Sequence, residues 1–130
     1  MTANSKPGTE ALAGRRILIV EDETIVAMML EDMLTELRCE VVKAARVAKA
    51  VDLAATAQLD GAILDVNVAG EPVYPVAREL QRRGIPFIFS TGYGAGGLAS
   101  DYRDRPTLSK PFQQKDLAPT LAGAIHGGRL

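Results

Sequence analysis

Ile17-Leu18-Ile19-Val20-Glu21-Asp22 sets two acids directly behind four aliphatic residues. The aliphatic run is short, β-branched and nearly continuous, which is the pattern of a strand buried on both faces. Three further runs have the same form. Ala62-Ile63-Leu64 ends in Asp65, and Phe87-Ile88-Phe89-Ser90 ends in Thr91. Thr107-Leu108-Ser109 ends in Lys110, with Pro111-Phe112 behind it. If the runs are parallel strands of one sheet, these polar groups meet at its carboxyl edge, where open α/β sheets bind ligands. Three carboxylates, a hydroxyl and a lysine can hold a divalent cation and a phosphoryl group.

The stretches between the runs read as helices. From Thr24 to Leu37, Val26, Met29, Leu30, Met33, Leu34 and Leu37 recur at three- and four-residue steps,. Glu40–Ala45 is a further strand. Val47, Val51 and Ala54 mark a second helix ending near Gln58. Residues 66–72 form a loop by their Gly70 and Pro72,. Val73–Arg83 is a third helix, with Pro75 in its first turn and Gly84 as its stop,. Between Thr91 and Pro106, Gly92, Gly94, Gly96 and Gly97 oppose a regular helix, at roughly 1 kcal/mol each,. Only 98–102 can form a turn or two, and 92–105 is expected to be the most mobile ordered stretch. The last helix carries Leu117, Leu121, Ala124 and Ile125, expects Pro119 in its first turn and ends at His126-Gly127,. Strands alternating with helices imply right-handed crossovers and a parallel sheet.

Composition bounds the function. A chain of 130 residues suits one domain, with 47% hydrophobic and 24% charged residues,. A net charge of -1 gives no general attraction to nucleic acid or to anionic membrane,. No apolar stretch reaches the length of a membrane span. Cys39 is the only cysteine, so no internal disulfide is possible, and a cytoplasmic, reducing setting fits,. No basic cluster adjoins it, so it reads as a structural thiol. Residues 1–14 lack periodicity and read as a disordered arm, 15–126 as the folded domain and 127–130 as a tail. His126 has no acid or second histidine near it in sequence to make a ligand set.

Each polar residue has an ordinary reading when taken alone. Asp65 could be a turn residue, and Asp22 an N-cap for the helix opening at Thr24. Lys110 could be an exposed lysine, and Thr91 a strand-end turn. Their joint order and strand-end placement favour a shared site. Two acidic sites on neighbouring strand ends repel, and a hard cation such as Mg²⁺ resolves that repulsion. Pro111 fixes the backbone at Lys110 and can aim its side chain inward.

These stretches resemble the receiver domain of two-component response regulators. Residues 17–23 (ILIVEDE), 62–67 (AILDVN), 85–94 (IPFIFSTGYG) and 109–112 (SKPF) carry the resemblance, which spans about 15 to 126. It implies a flavodoxin-like (βα)5 fold whose five-stranded parallel sheet has the order 2-1-3-4-5. It implies that Asp65 is the phosphoacceptor for a phosphohistidine on a sensor histidine kinase or phosphotransfer protein. Glu21 and Asp22 match the Mg²⁺-binding acidic pair, with Asp22 the more direct ligand. Asn67 matches the position whose backbone carbonyl completes the metal site. Thr91 matches the switch hydroxyl, and Lys110 the lysine that pairs with the phosphoryl group. Such a protein is a signalling phosphoacceptor rather than an enzyme, assisting its own phosphotransfer and dephosphorylation.

Two departures stand out. Thr107 occupies the position, three before the lysine, where receivers usually carry an aromatic residue, and the stretch from Thr91 to Lys110 is short and glycine-rich, so a reduced or irregular fourth helix is expected. The signal is therefore expected to leave through the 92–105 stretch, with Tyr93 or Tyr102. The Phe-Ser-Thr-Gly-Tyr run at 89–93 resembles the Phe-Ala-Thr-Gly motif of an alphaproteobacterial receiver subfamily, many of whose members are single-domain proteins. Asp-Val-Asn-Val-Ala-Gly-Glu at 65–71 fits the same group.

Three other readings compete with this one. A haloacid-dehalogenase-like phosphatase needs a second aspartate two residues after the nucleophile, where this chain has Asn67. A phosphate-independent pseudo-receiver would serve only as an interaction module, and the complete set of acids, threonine and lysine speaks against it. A DNA-binding regulator needs an output domain, for which four residues after His126 leave no room in this sequence.

Overall fold

The computed structural model describes residues 12–92 and 97–127. Five strands form one parallel sheet: β1 Arg16–Val20, β2 Glu40–Ala44, β3 Gly61–Asp65, β4 Phe87–Thr91 and β5 Thr107–Ser109. Their spatial order is β2-β1-β3-β4-β5, the expected one. The helices are α1 Thr24–Glu36, α2 Val47–Thr56, α3 Tyr74–Arg82 and α4 Gln114–Gly127. None is long and apolar enough to cross a membrane among the described residues.

Alternation along the strands divides the interior into two layers. Ile17, Ile19, Ile63, Ile88 and Leu108 face Leu30 and Leu34 of α1 and Leu117, Leu121 and Ile125 of α4. Leu18, Val20, Leu64, Phe87 and Phe89 face Ala50 and Ala54 of α2 and Val76 and Leu80 of α3. The strands β1, β3 and β4 are buried on both faces, so their sequences read as nearly unbroken apolar runs,. Gly61 lets α4 approach closely, because a Cβ there would lie 3.3 Å from Ile125 Cδ1.

Three details differ from the sequence-based expectations. The packed body starts earlier than residue 15: Leu12 is fully buried, and the Gly14 N–H donates to the Arg38 carbonyl at 2.8 Å. Cys39 Sγ donates to the Leu12 carbonyl, and burial pushes its thiol up to about 11. The 66–72 loop contains a ribbon, Asn67–Val68 antiparallel to Glu71–Pro72. Its Ala69-Gly70 turn has φ of 51° and 84°, the left-handed pair of a type I′ turn,. Pro119 lies inside α4 and not in its first turn, because the helix already opens at Gln114.

Between β4 and β5 the described residues form one 3₁₀ turn, Ser100–Tyr102, and no α-helix. This part is better anchored than its composition suggests. Tyr102 is buried and stacks on Tyr74 of α3, with ring centroids 5.1 Å apart. Its hydroxyl donates to Gln81 Oε1, and the Ala99 N–H donates to the Tyr74 hydroxyl. Residues 93–96, including Tyr93, lie outside the described residues.

Both α1 and α3 end in Schellman motifs. In α3, Gly84 takes the left-handed position at φ 72°, and the Ile85 N–H reaches the Leu80 carbonyl. In α1 the same position is Arg38 at φ 66°, with the Cys39 N–H on the Leu34 carbonyl. An L-residue is strained there by about 1 kcal/mol. Arg38→Gly is therefore expected to stabilise the fold by about 1 kcal/mol, read as a higher urea midpoint at unchanged slope. Arg38→Val is expected to lower that midpoint.

Candidate functional site

The parallel sheet places Asp65 between the ends of its neighbours β1 and β4. Glu21 and Asp22 leave β1 one residue beyond Val20, and the Glu21 N–H still donates to the Ala44 carbonyl of β2. Thr91 is the last residue of β4, and its carbonyl accepts the Lys110 N–H at 2.9 Å. That bond fixes where the lysine leaves β5. Its flexible four-carbon stem then spans the end of β4 to reach the acids.

Lys110 Nζ lies 3.1 Å from Glu21 Oε1 and 3.6 Å from Asp65 Oδ1. The Glu21 side chain is only 1% exposed, against 14% for Asp65. Glu21 Oε2 also accepts the Glu23 N–H at 3.0 Å. Glu21 is thus a buried partner of the lysine, whereas Asp22 is exposed. One ligand oxygen from each of Glu21, Asp22 and Asp65 lies within 4.8 Å of the others. Thr91, Asp65 and Lys110 line one cleft with Val66, Asn67, Gly92 and Gly97. The four strand ends identified from sequence therefore do converge.

The electrostatics follow from this crowding. Burial raises the pKa of Asp65, and the Asp22 charge adds to that; Lys110 and a hydrogen bond with Glu21 oppose it without cancelling it. Burial also raises Glu21, helped by the Asp65 charge, against the Glu23 N–H and Lys110. Burial alone would lower Lys110, but Asp65, Glu21 and Glu23 together hold it above the ordinary lysine value. Three carboxylates face one ammonium, so negative charge is in excess.

A hard divalent cation suits this donor set of clustered carboxylate oxygens,. The ribbon bears on Asn67. In a two-residue hairpin the pair beside the turn, Val68 and Glu71, exchanges the ladder bonds, and the next pair, Asn67 and Pro72, points its backbone groups outward,. The Val73 N–H then bonds the Val66 carbonyl at 3.0 Å, in step with that alternation. The Asn67 carbonyl is left unused by the ribbon, on the strand that leads out of Asp65.

Sequence reasoning missed the buried state of Glu21 and the part played by the Glu23 amide. It also missed Tyr74, whose ring lies with that of Tyr102 against Phe89, on the same side of the sheet as Thr91,. Thr107, at the usual aromatic position, turns its hydroxyl to the Arg105 carbonyl.

The sign of the pKa shifts sets a prediction. A carboxyl raised by the fold is easier to protonate folded than unfolded. Its unfavourable contribution is absent below the ordinary carboxylate range and grows as pH rises through the raised value. In chelator at neutral pH, Asp65→Asn is expected to melt above wild type. The gap should close as pH falls through the carboxylate range. Thermal melts across pH check both statements.

Residues 17–122 match the response regulator receiver domain. The transcriptional regulatory protein PdtaR of Mycobacterium tuberculosis is 33% identical over 126 residues, covering 92% of this chain and 62% of PdtaR. This chain thus spans less than two thirds of that relative. The structure is similar to SdrG from Sphingomonas melonis Fr1, at 45% identity and TM-score 0.77, covering 88% of this chain and 98% of that one. The BeF3-activated conformation of SdrG, given for Pseudomonas melonis Fr1, matches at 44% identity and TM-score 0.74, covering 87% and 98%. It is also similar to the receiver domain of the sensor histidine kinase PA1611 from Pseudomonas aeruginosa, solved with magnesium in its active-site cleft. That match has 27% identity and TM-score 0.74, covering 87% of this chain and 98% of that one. The chain belongs to the response regulator receiver domain family.

Proposed function

We propose that this receiver accepts a phosphoryl group on Asp65 from a phosphohistidine of a histidine kinase or phosphotransfer protein, and switches partner binding in response. The observation that carries this reading is the joint placement of Lys110 against Asp65 and Glu21 inside a three-carboxylate cluster. A cation bound there supplies charge neutralisation for the transferring oxygens. In this reading Asp22 and Asp65 would hold Mg²⁺ with the Asn67 carbonyl, and Glu21 would contribute from its buried position.

The chain's own residues do the rest. Asp65 presents an oxygen to the phosphorus in line with the departing imidazole. Lys110, already drawn to the carboxylates, pairs with the phosphoryl oxygens as they arrive. Catalysis is then mostly positioning and electrostatics. The Thr91 hydroxyl and Lys110 ammonium engage the phosphoryl group, giving the modified state contacts that the free state lacks, as a population shift requires. The BeF3-activated form of SdrG supports this by analogy. Among the described residues the exposed large hydrophobics, Ile25, Met28 and Met29, all lie on α1, which starts two residues after Asp22. They give a partner an apolar surface next to the site. The cytoplasm, where such a kinase would present its phosphohistidine, is the setting of this reading.

Incubation with acetyl phosphate or phosphoramidate and Mg²⁺ is expected to add one phosphoryl group by intact mass, labile to hydroxylamine. Asp65→Asn should take none while keeping its circular dichroism. Equal labelling of the variant would remove Asp65 from its role. No label on wild type would favour a phosphate-independent interaction module.

Mg²⁺ is expected to raise the melting midpoint by relieving the carboxylate repulsion. At 100 times the dissociation constant the gain should be about 2.7 kcal/mol. Asp22→Ala should abolish the response and Asp65→Asn weaken it. An unchanged melt in saturating Mg²⁺ would contradict the metal site.

A further inference from the structure

Ser90 is 1% exposed, and its hydroxyl has no hydrogen-bond partner among the described residues. A buried hydroxyl left unpaired is unfavourable, so its presence in the middle of a core asks for a use. Its position supplies one. Along β4, Phe87 and Phe89 face the α2/α3 layer, while Ile88 faces the α1/α4 layer. By alternation Ser90 shares the side of Ile88, and Thr91 lies on the other. Along β3, Ile63 faces the α1/α4 layer, so Asp65 lies on that side too. The register sets Ser90 directly beside Asp65, with Leu108 on its other flank. Neighbouring strands lie about 4.8 Å apart. The Asp65 carboxylate is therefore a polar neighbour on that face, one strand spacing away,. Ser90 does not line the cleft that holds Asp65, Thr91 and Lys110. It can act on the phosphoryl group only through Asp65.

We propose that Ser90 is a positioning residue for the phosphoacceptor: its hydroxyl donates to the Asp65 carboxyl from beneath once the phosphoryl group draws Lys110 away. This rests on the reading of Asp65 as phosphoacceptor. The consequence falls on the lifetime of the acyl phosphate. In hydrolysis a water oxygen bonds to phosphorus and the bond from phosphorus to the Asp65 oxygen breaks. The electron pair returns to the carboxyl group, the proton of water passes to solvent, and inorganic phosphate leaves. A donor on the carboxyl stabilises the charge that develops there. Ser90 thereby shortens the life of the phosphorylated state. The resembling Phe-Ala-Thr-Gly motif has alanine here, so Ser90→Ala suits the fold.

The test labels wild type, Ser90→Ala, Ser90→Cys and Ser90→Thr with acetyl phosphate and Mg²⁺, removes the reagent, and follows decay by intact mass. Ser90→Ala and Ser90→Cys are expected to hold the phosphoryl group roughly two- to tenfold longer, the worth of one ordinary hydrogen bond. Ser90→Thr, which restores a hydroxyl, should decay like wild type. The melting midpoint of Ser90→Ala should equal or exceed that of wild type, since an unpaired hydroxyl is removed. Equal half-lives for labelled wild type and Ser90→Ala would overturn the proposal and leave Asp65 in its role. A lower melting midpoint for Ser90→Ala would also overturn it, by showing the hydroxyl already satisfied in the free protein. Failure of wild type to take any label would overturn the phosphoacceptor reading and this proposal with it.

Discussion

One ammonium holds this site together. Lys110 Nζ sits between Glu21 and Asp65, which come from adjacent strands, and must cross the end of β4 to reach them. Every larger feature serves that reach. The parallel sheet puts the ends of β1, β3, β4 and β5 on one edge. The Thr91 carbonyl anchors the lysine backbone. The buried layers on both faces keep water from the lower half of the site, so the carboxylates feel one another and the lysine strongly. The lysine does not cancel the charge: both Glu21 and Asp65 remain harder to ionise than free carboxyls, with burial the leading cause. The free protein stores an electrostatic strain that a cation or a phosphoryl group would relieve in different ways.

The two faces of the sheet divide the work. Ser90 and Thr91 are consecutive hydroxyls on β4, yet the pleat sends them to opposite sides. Thr91 lines the open cleft, on the side where Tyr74 and Tyr102 pack against Phe89. Ser90 lies under Asp65, among the aliphatic residues of α1 and α4. The aromatic stack on α3 ties the connection after β4 to the same helix layer that Thr91 faces. Aromatic rings thus pack on the side of the sheet that Thr91 faces, although residue 107 is a threonine.

Much of this was legible in the chain. Buried strands of a parallel sheet have little choice of sequence, so Ile17–Val20, Gly61–Leu64 and Phe87–Phe89 announced themselves. A polar residue directly behind such a run has to lie at the carboxyl edge, which is why Asp65, Thr91 and Lys110 were found by position alone. Other features depend on tertiary packing that no local pattern carries. Glu21 and Asp22 are equivalent by sequence, but one is buried against a lysine 89 residues away and the other is exposed. The Asn67–Pro72 ribbon turns through Ala69-Gly70, which lacks the asparagine or aspartate that usually marks a type I′ turn,. Leu12 looked like part of a formless arm because a single buried leucine has no periodicity to show. Tyr102 sits in a glycine-rich stretch whose composition hid the ring stack that anchors it.

The most direct test is a crystal structure with Mg²⁺ and beryllofluoride. The expected result is an ion held by Asp22, Asp65 and the Asn67 carbonyl. The beryllofluoride should sit on an Asp65 oxygen, within hydrogen-bond reach of the Thr91 hydroxyl and Lys110 Nζ. Beryllofluoride bound elsewhere, or a fully formed Lys110–Glu21–Asp65 cluster persisting unchanged in saturating Mg²⁺ and beryllofluoride, would contradict the account.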